Sequence, residues 1–192
     1  MPTRLVLLAV AAVALAGCGG KGSPQATRPQ HGVLGARVAE TLAPPVRVTS
    51  ATVEGLGRVL VDGAGGHTLY AFLPDQRKHV TCVRYCATFW VPLKLAPGQK
   101  VALAGRGVKR SLLGATRAAG GLVATYNGWP LYRYQADTQG GLAKGQGALA
   151  PEPCTFLQID CSLNLGGPVS YALTTAGALN RRKPGPGALG PS

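Results

Sequence analysis

The sequence is poor in the residues that most catalytic and metal centres use. It has three histidines, seven acidic side chains and a single methionine, the first residue. A methionine-rich copper site is therefore excluded. The motifs Cys-x-x-Cys, Cys-x-x-Cys-His, Gly-x-Ser-x-Gly and the phosphate-binding glycine loop do not occur in the sequence. We predict a non-catalytic protein that uses no cofactor and no metal.

Long apolar runs are also missing. The run from Leu5 to Ala14 is shorter than the roughly 18 to 20 residues that a bilayer-spanning helix needs. No long stretch has apolar residues at helical spacing, aromatics are only 6% of the chain, and glycine and proline are plentiful. This composition favours short strands joined by turns. We predict an all-β fold, in which two related β units form one small domain packed as a sandwich or small barrel.

The N-terminus has the pattern of a bacterial lipoprotein signal. Arg4 supplies a positive charge, the apolar run follows, and Leu15-Ala16-Gly17 precedes Cys18. A signal peptidase can expose this cysteine for lipidation with palmitate. We predict a signal peptide over 1–17 and a protein anchored by lipid at the extracytoplasmic face of the cell membrane. The alternative is an ordinary secretory signal with an incidental cysteine.

Composition divides the remaining chain into three parts. Residues 18–50 carry Gly, Ser, Gln and two consecutive prolines, and are predicted to be a flexible tether. Residues 51–180 are predicted to be the β-repeat domain. Residues 181–192, which include three consecutive basic side chains, are predicted to be a disordered tail.

The formal net charge of +13 is large for 192 residues. In an exported protein this charge favours anionic envelope polymers or lipids as partners over nucleic acid. The membrane itself is a partner through the predicted N-terminal lipid. The alternative is that much of the charge is a solvated compositional bias.

An internal repeat lies in the predicted domain. The segment Leu69-Tyr70-Ala71-Phe72-Leu73-Pro74-Asp75 aligns with Leu131-Tyr132-Arg133-Tyr134-Gln135-Ala136-Asp137. The alignment continues without a gap to match Leu60 with Leu122, Val61 with Val123 and Gly66 with Gly128. We predict two units over about 56–95 and 112–147, with an inserted cysteine-containing segment at about 152–168.

The second unit contains a strong hairpin signal. A strand from Leu122 to Tyr126 is followed by Asn127-Gly128, a favoured type I′ turn, and by a return strand from Trp129 to Tyr134. Pro130 lacks an amide donor, so we predict that its strand lies at an edge of a sheet or presents this position away from the ladder.

The repeated motifs supply the candidate binding residues. Aromatic residues two apart project from the same face of a strand, and an aspartate follows at each exit. One interpretation is an aromatic surface for a sugar ring or flat ligand. The other is that the aromatics form the core and the aspartates hold turns through hydrogen bonds to the backbone. The candidate surface consists of Trp90, Trp129, Tyr132, Tyr134, Tyr70, Asp75 and Asp137.

Four cysteines remain once Cys18 is assigned to lipid, namely Cys82, Cys86, Cys154 and Cys161. An even number in an exported chain favours disulfides, and the locally obvious pairs are 82 with 86 and 154 with 161, although three connectivities are possible. An alternative uses His79, Cys82 and Cys86 as metal ligands with His67 as a fourth. That spacing is not a usual zinc pattern.

Together these motifs resemble one family, the bacterial secreted-repeat lipoproteins. The resemblance rests on the Cys18 signal, the twin Tyr-x-aromatic-x-x-Asp motifs, the segment from Cys82 to Leu93 and the segment from Thr125 to Tyr132. It implies an exported, lipid-anchored, β-rich protein without an established activity. The chain departs from the family pattern by Val91 before Pro92 and by Ser170 in place of a tryptophan in the closing strand.

Two functional hypotheses follow. The first is a non-catalytic envelope protein whose β repeats bind a ligand or partner. The second is an extracytoplasmic redox or metal-binding accessory protein that uses Cys82 and Cys86. A purely structural envelope protein is a third possibility.

Overall fold

The computed structural model describes residues 43–75, 77–149 and 167–190. Cys18, Cys154 and Cys161 lie outside these ranges, as do the signal segment and most of the inserted segment, so the predictions made for them are not tested. Within the described ranges, no helix has the length and apolar character needed to cross a membrane.

The predicted all-β class is confirmed. The described residues form ten strands and two one-turn α-helices. The strands are β1 Arg47–Val53, β2 Gly57–Asp62, β3 Tyr70–Phe72, β4 Trp90–Pro92, β5 Leu103–Ala104, β6 Leu113–Ala118, β7 Gly121–Tyr126, β8 Trp129–Pro130, β9 Tyr132–Tyr134 and β10 Ser170–Ala172. The helices are α1 Cys86–Phe89 and α2 Pro186–Leu189.

Three sheets share these strands, in the orders β2-β1-β5, β10-β3-β9-β4 and β6-β7-β8. The four-stranded sheet holds the repeated motifs, and its strands supply residues to two apolar clusters. Side chains of Tyr70, Phe72 and Tyr132 pack in one apolar cluster, and those of Leu69 and Leu131 pack in another. Alternation along each strand therefore supplies both clusters.

The predicted hairpin turn is present, but the predicted return strand from Trp129 to Tyr134 is divided into β8 and β9, which belong to different sheets. Tyr126 pairs with Trp129, and the turn residues Asn127 and Gly128 have φ angles of 48° and 81°. Positive φ at both central positions is the requirement of a type I′ turn. Pro130 lies in β8, at an edge of its sheet, as predicted.

The closing strands of the two repeats are exchanged. Strand β4 follows β3 in the chain but pairs with β9 of the second repeat, whereas β10 pairs with β3 of the first. Trp90 lies opposite Tyr134, and Ser170 lies opposite Phe72. These are equivalent positions of the two motifs, so Ser170 does occupy the place that a tryptophan holds in the other closing strand.

The gapless alignment of the two repeats is wrong before the motifs. The amide of Leu69 donates to the carbonyl of Leu60 at 2.9 Å, and that of Leu131 donates to the carbonyl of Ala124 at 2.9 Å. Leu60 therefore corresponds to Ala124 and not to Leu122. The loop between β2 and β3 is two residues longer than its counterpart, which shifts the strand register.

Both predicted domain boundaries need correction. Strand β1 begins at Arg47, and Val48 is fully buried, so the domain starts within the predicted tether 18–50. The tail is not disordered over 181–190. The amides of Gly185 and Gly187 donate to the backbone oxygen and to Oε2 of Glu54, each at 2.9 Å, and Ala188 is buried. Small residues let this segment pack closely against Glu54. Its glycine and proline content alone suggests disorder.

Candidate functional site

The two motifs are joined by crossed hydrogen bonds. The hydroxyl of Tyr70 donates to Oδ2 of Asp137 at 2.5 Å, and that of Tyr132 donates to Oδ2 of Asp75. All four side chains are buried. Tyr70 and Tyr132 lie opposite each other in an antiparallel pair, and the tyrosine of each strand donates to the aspartate that follows the other strand. Each motif is thus completed by its partner motif.

The second oxygen of each aspartate holds a loop. Oδ1 of Asp75 accepts the amides of Thr81 at 2.7 Å and Cys82 at 3.1 Å. Oδ1 of Asp137 accepts the amide of Lys144 at 2.7 Å. The aspartates therefore fix backbone turns, as the second interpretation of the motifs proposed.

Burial changes the ionisation of all four groups. Desolvation raises the pKa of the Asp75 and Asp137 carboxyls above their ordinary range, while the tyrosine hydrogen bonds act in the opposite direction. Desolvation, and then the neighbouring carboxylate, raises the pKa of Tyr70 and Tyr132. Both hydroxyls consequently stay protonated and donate.

The aromatic side chains pack around this core. Trp90 is 3% exposed, and its ring centroid lies 4.6 Å from that of Tyr134 and 5.7 Å from that of Tyr70. Tilted and edge-to-face contacts of this kind are favourable packing geometries.

The interpretation of the seven residues as a binding surface is therefore corrected. Five of them are buried, namely Tyr70, Asp75, Trp90, Tyr132 and Asp137. Trp129 and Tyr134 are half-buried and pack against the two apolar clusters. A small domain with few aromatic residues places them inside, where their large apolar area contributes most.

Cys82 and Cys86 form a disulfide with a Cα–Cα distance of 5.2 Å. The predicted local pair is therefore present, and both residues are buried. The bridge closes a short loop in which Arg84 has a φ of 51°, a conformation that costs a non-glycine residue about 1 to 2 kcal/mol.

The proposed metal ligands do not converge. The Nδ1 of His67 lies 3.0 Å from Oδ2 of Asp62, and His79 is exposed. Within the described ranges, no group of three or more His, Cys, Asp or Glu side chains is placed to hold a metal ion.

An open cleft of about 810 Å³ lies beside β4 and the disulfide loop. Among the residues that the structure describes, it combines apolar side chains with four basic ones and one acidic one. Its lining residues are Pro44, Pro45, Val46, Arg47, Asp62, Gly63, Ala64, Val80, Cys82, Val83, Arg84, Ala87, Val91, Pro92, Leu93, Lys94, Ala118, Ala119 and Arg133.

The four cations of the cleft are only partly neutralised. Arg47 donates through Nη1 to the carbonyl of Ala104 at 3.2 Å. Arg84 and Lys94 are exposed, and their side chains have no hydrogen-bond or ion-pair partner in the part of the chain that the structure describes. Their charges are free to meet an anion.

Arg133 is the most enclosed of these cations. Its Nη1 lies 3.7 Å from Oδ2 of Asp62, too far for a hydrogen bond. Its Nε is buried and has no hydrogen-bond partner among the described residues.

The carboxylate of Asp62 is occupied by its own loop. Oδ1 accepts the amides of Ala64, Gly65 and Gly66 at 3.1, 2.6 and 3.1 Å, and Oδ2 faces His67. The aspartate therefore organises the loop between β2 and β3 and also forms an ion pair with Arg133, which leaves the other three cations of the cleft without a carboxylate partner among the described residues.

The cleft is not apparent from the sequence, because its basic residues come from four separate segments. Two local signals were available. Arg133 alternates with Tyr132 and Tyr134, so it must project from the opposite face of β9. Arg84 lies between the bridged cysteines, where its position is restricted.

Among the comparisons with known proteins, one family model matches, and its match is limited to the second repeat. A family model described as a secreted repeat of unknown function matches residues 114–150. The match includes β7, β8, β9 and the second Tyr–Asp motif, and it confirms the resemblance to secreted-repeat lipoproteins there. It indicates an extracytoplasmic repeat protein. No curated protein and no solved structure matches the chain.

Proposed function

We propose that this chain is a non-catalytic, lipid-anchored extracytoplasmic module that binds a ligand at the cell envelope. Cys18 carries the lipid, the segment between it and β1 separates the domain from the membrane, and the cleft beside β4 is the binding site.

The basic cleft is the observation that carries the proposal. The residues that define the repeat are sealed in the core and serve as a framework. By contrast, Arg84 and Lys94 are exposed beside apolar side chains and have no protein partner in the described ranges. Concave sites that combine apolar walls with a few polar groups are typical of ligand pockets.

The chemistry of the lining supports binding over catalysis. Among the described residues that line the cleft, the single carboxylate, Asp62, is held by three amides, and the single cysteine, Cys82, is in a disulfide. Neither is available as a general base or nucleophile.

The alternative is an extracytoplasmic redox or metal-binding accessory protein that uses Cys82 and Cys86. One observation favours this alternative: Cys82 lines the cleft. Quantifying thiols during titration with dithiothreitol separates the two functions. A binding module keeps the bridge closed at millimolar reductant, whereas a redox protein opens it readily.

Two measurements on protein from the native host test the proposal. Intact mass spectrometry is expected to show a chain that begins at Cys18 and carries lipid, and Cys18→Ala is expected to remain unprocessed. Native mass spectrometry is expected to show a non-covalent ligand on the domain. A leader-bearing, unmodified wild-type protein, or a ligand-free domain from intact envelopes, contradicts the proposal.

A further inference from the structure

We propose that the ligand of the cleft is an anionic amphiphile, a molecule that joins a phosphate group to an apolar body. This inference rests on the binding function proposed above and adds the chemical class of the ligand.

The charge of the cleft favours an anionic ligand. Among the described residues, its walls carry Arg47, Arg84, Lys94 and Arg133 against one carboxylate, that of Asp62, which accepts three amides of its own loop and forms an ion pair with Arg133. Guanidinium groups offer paired donors that match phosphate oxygens, and hydrogen bonds between ionised groups are stronger than neutral ones.

The position of Arg84 adds to this argument. The residue has a positive φ inside the loop closed by Cys82 and Cys86. The bridge and the hydrogen bond from the amide of Cys82 to Asp75 restrict the loop, so less conformational freedom remains to be lost when Arg84 binds an anion.

The remaining wall of the cleft requires an apolar body. Val80, Val83, Val91 and Pro92 are half-buried and line the cleft between the basic residues. A small inorganic anion would leave this apolar surface in water, and a neutral lipid would cover the cations without pairing them. A volume of about 810 Å³ suits a whole small molecule, because ligand pockets measure roughly 300 to 1,000 Å³.

The test uses the mature chain and dodecyl phosphate below its micelle-forming concentration, with affinity measured by calorimetry. Dodecyl phosphate is expected to bind at least about tenfold more tightly than either inorganic phosphate or dodecyl maltoside. It is the only one of the three that can contact both the basic residues and the apolar residues of the cleft. The variant Arg84→Gln/Lys94→Gln is expected to lose about 10- to 100-fold in affinity.

The matched control is Lys100→Gln/Arg110→Gln. It removes the same charge from two exposed residues that do not line the cleft, and it is expected to bind like the wild type. Equal loss in both variants, or inorganic phosphate binding as tightly as dodecyl phosphate, overturns the inference. Circular dichroism of each variant verifies that it is folded.

Vesicles of phosphatidylglycerol distinguish a single bound amphiphile from adhesion to a charged membrane surface. If both double variants weaken vesicle binding equally and the wild type does not bind dodecyl phosphate, vesicle binding depends on overall charge. That result overturns the inference. If a different ligand is found on the native protein, the inference fails while the proposed binding function stands. If that protein carries no ligand or no lipid, the proposed function itself fails.

Discussion

At the scale of residues, the repeated motif distinguishes tyrosines that need their hydroxyl from aromatics that do not. Tyr70 and Tyr132 both donate to a buried aspartate. The next aromatic of the motif is Phe72 in one repeat and Tyr134 in the other, and the Tyr134 hydroxyl has no partner among the described residues. The chemistry that the two repeats share is therefore the crossed Tyr–Asp hydrogen bond.

Removing one crossed hydroxyl tests this assignment. Tyr132→Phe leaves an oxygen of the buried Asp75 without its donor, so we expect the free energy of unfolding to fall by about 1 to 3 kcal/mol. Tyr134→Phe is the matched control, with an expected change within about 0.5 kcal/mol. Urea denaturation measures both. Equal effects of the two substitutions would show that the hydroxyl of Tyr132 does not matter.

The same pairs predict loss of stability at alkaline pH. The pKa values of Tyr70 and Tyr132 are raised in the folded state, whereas unfolded tyrosines ionise near about pH 10. Their contribution is thus fully present below about pH 10 and is lost as the pH rises above it.

Denaturation series between pH 8 and pH 11 measure this effect. The double variant Tyr70→Phe/Tyr132→Phe is expected to lose less stability over this interval than the wild type. The control Tyr171→Phe, at a half-buried position, should keep the wild-type slope. A double variant with an unchanged slope contradicts the assignment.

At the scale of elements, the disulfide loop links the framework to the cleft. The amide of Cys82 donates a hydrogen bond to Asp75. The bridge from Cys82 to Cys86 encloses Arg84, which lines the cleft. The loop is short, so its closure contributes about 2 kcal/mol in the chain-entropy view.

We therefore expect Cys82→Ala/Cys86→Ala to lower the free energy of unfolding by about 2 kcal/mol and to weaken ligand binding as well. Arg84→Gln should weaken binding while leaving stability nearly unchanged. Chemical denaturation and calorimetry on the two variants check this separation. If the double alanine variant binds like the wild type, the bridge does not position Arg84.

Elements formed by nearby residues were predictable, and those formed by distant ones were not. The turn at Asn127-Gly128 and the pairing of Cys82 with Cys86 depend on residues close in sequence. The exchange of β4 and β10 depends on pairing between repeats, which alternation alone does not specify. The cleft is likewise formed by residues that are distant in sequence, so no local pattern indicates it. The unequal lengths of the β2–β3 and β7–β9 connections also obscure the repeat register in the sequence.

At the scale of the whole domain, the exchanged strands and crossed hydrogen bonds make the repeats interdependent. Each repeat lacks the closing strand that covers it and the aspartate that binds its tyrosine. We therefore expect a single cooperative unfolding transition, with coincident curves from tryptophan fluorescence and far-ultraviolet circular dichroism. A fragment of residues 43–112 should not fold alone. Two separate transitions, or a folded fragment, would contradict this interdependence.

In the whole domain, the buried motifs form the structural framework and the basic cleft is the proposed binding site. Nuclear magnetic resonance of the labelled mature domain tests that division most directly. On adding dodecyl phosphate, we predict amide shift changes at Val83, Arg84, Lys94 and Ala119, with Ser170 to Leu173 unchanged. Changes confined to Ser170 to Leu173 or to Arg181 to Lys183, with the cleft amides unmoved, would contradict the account.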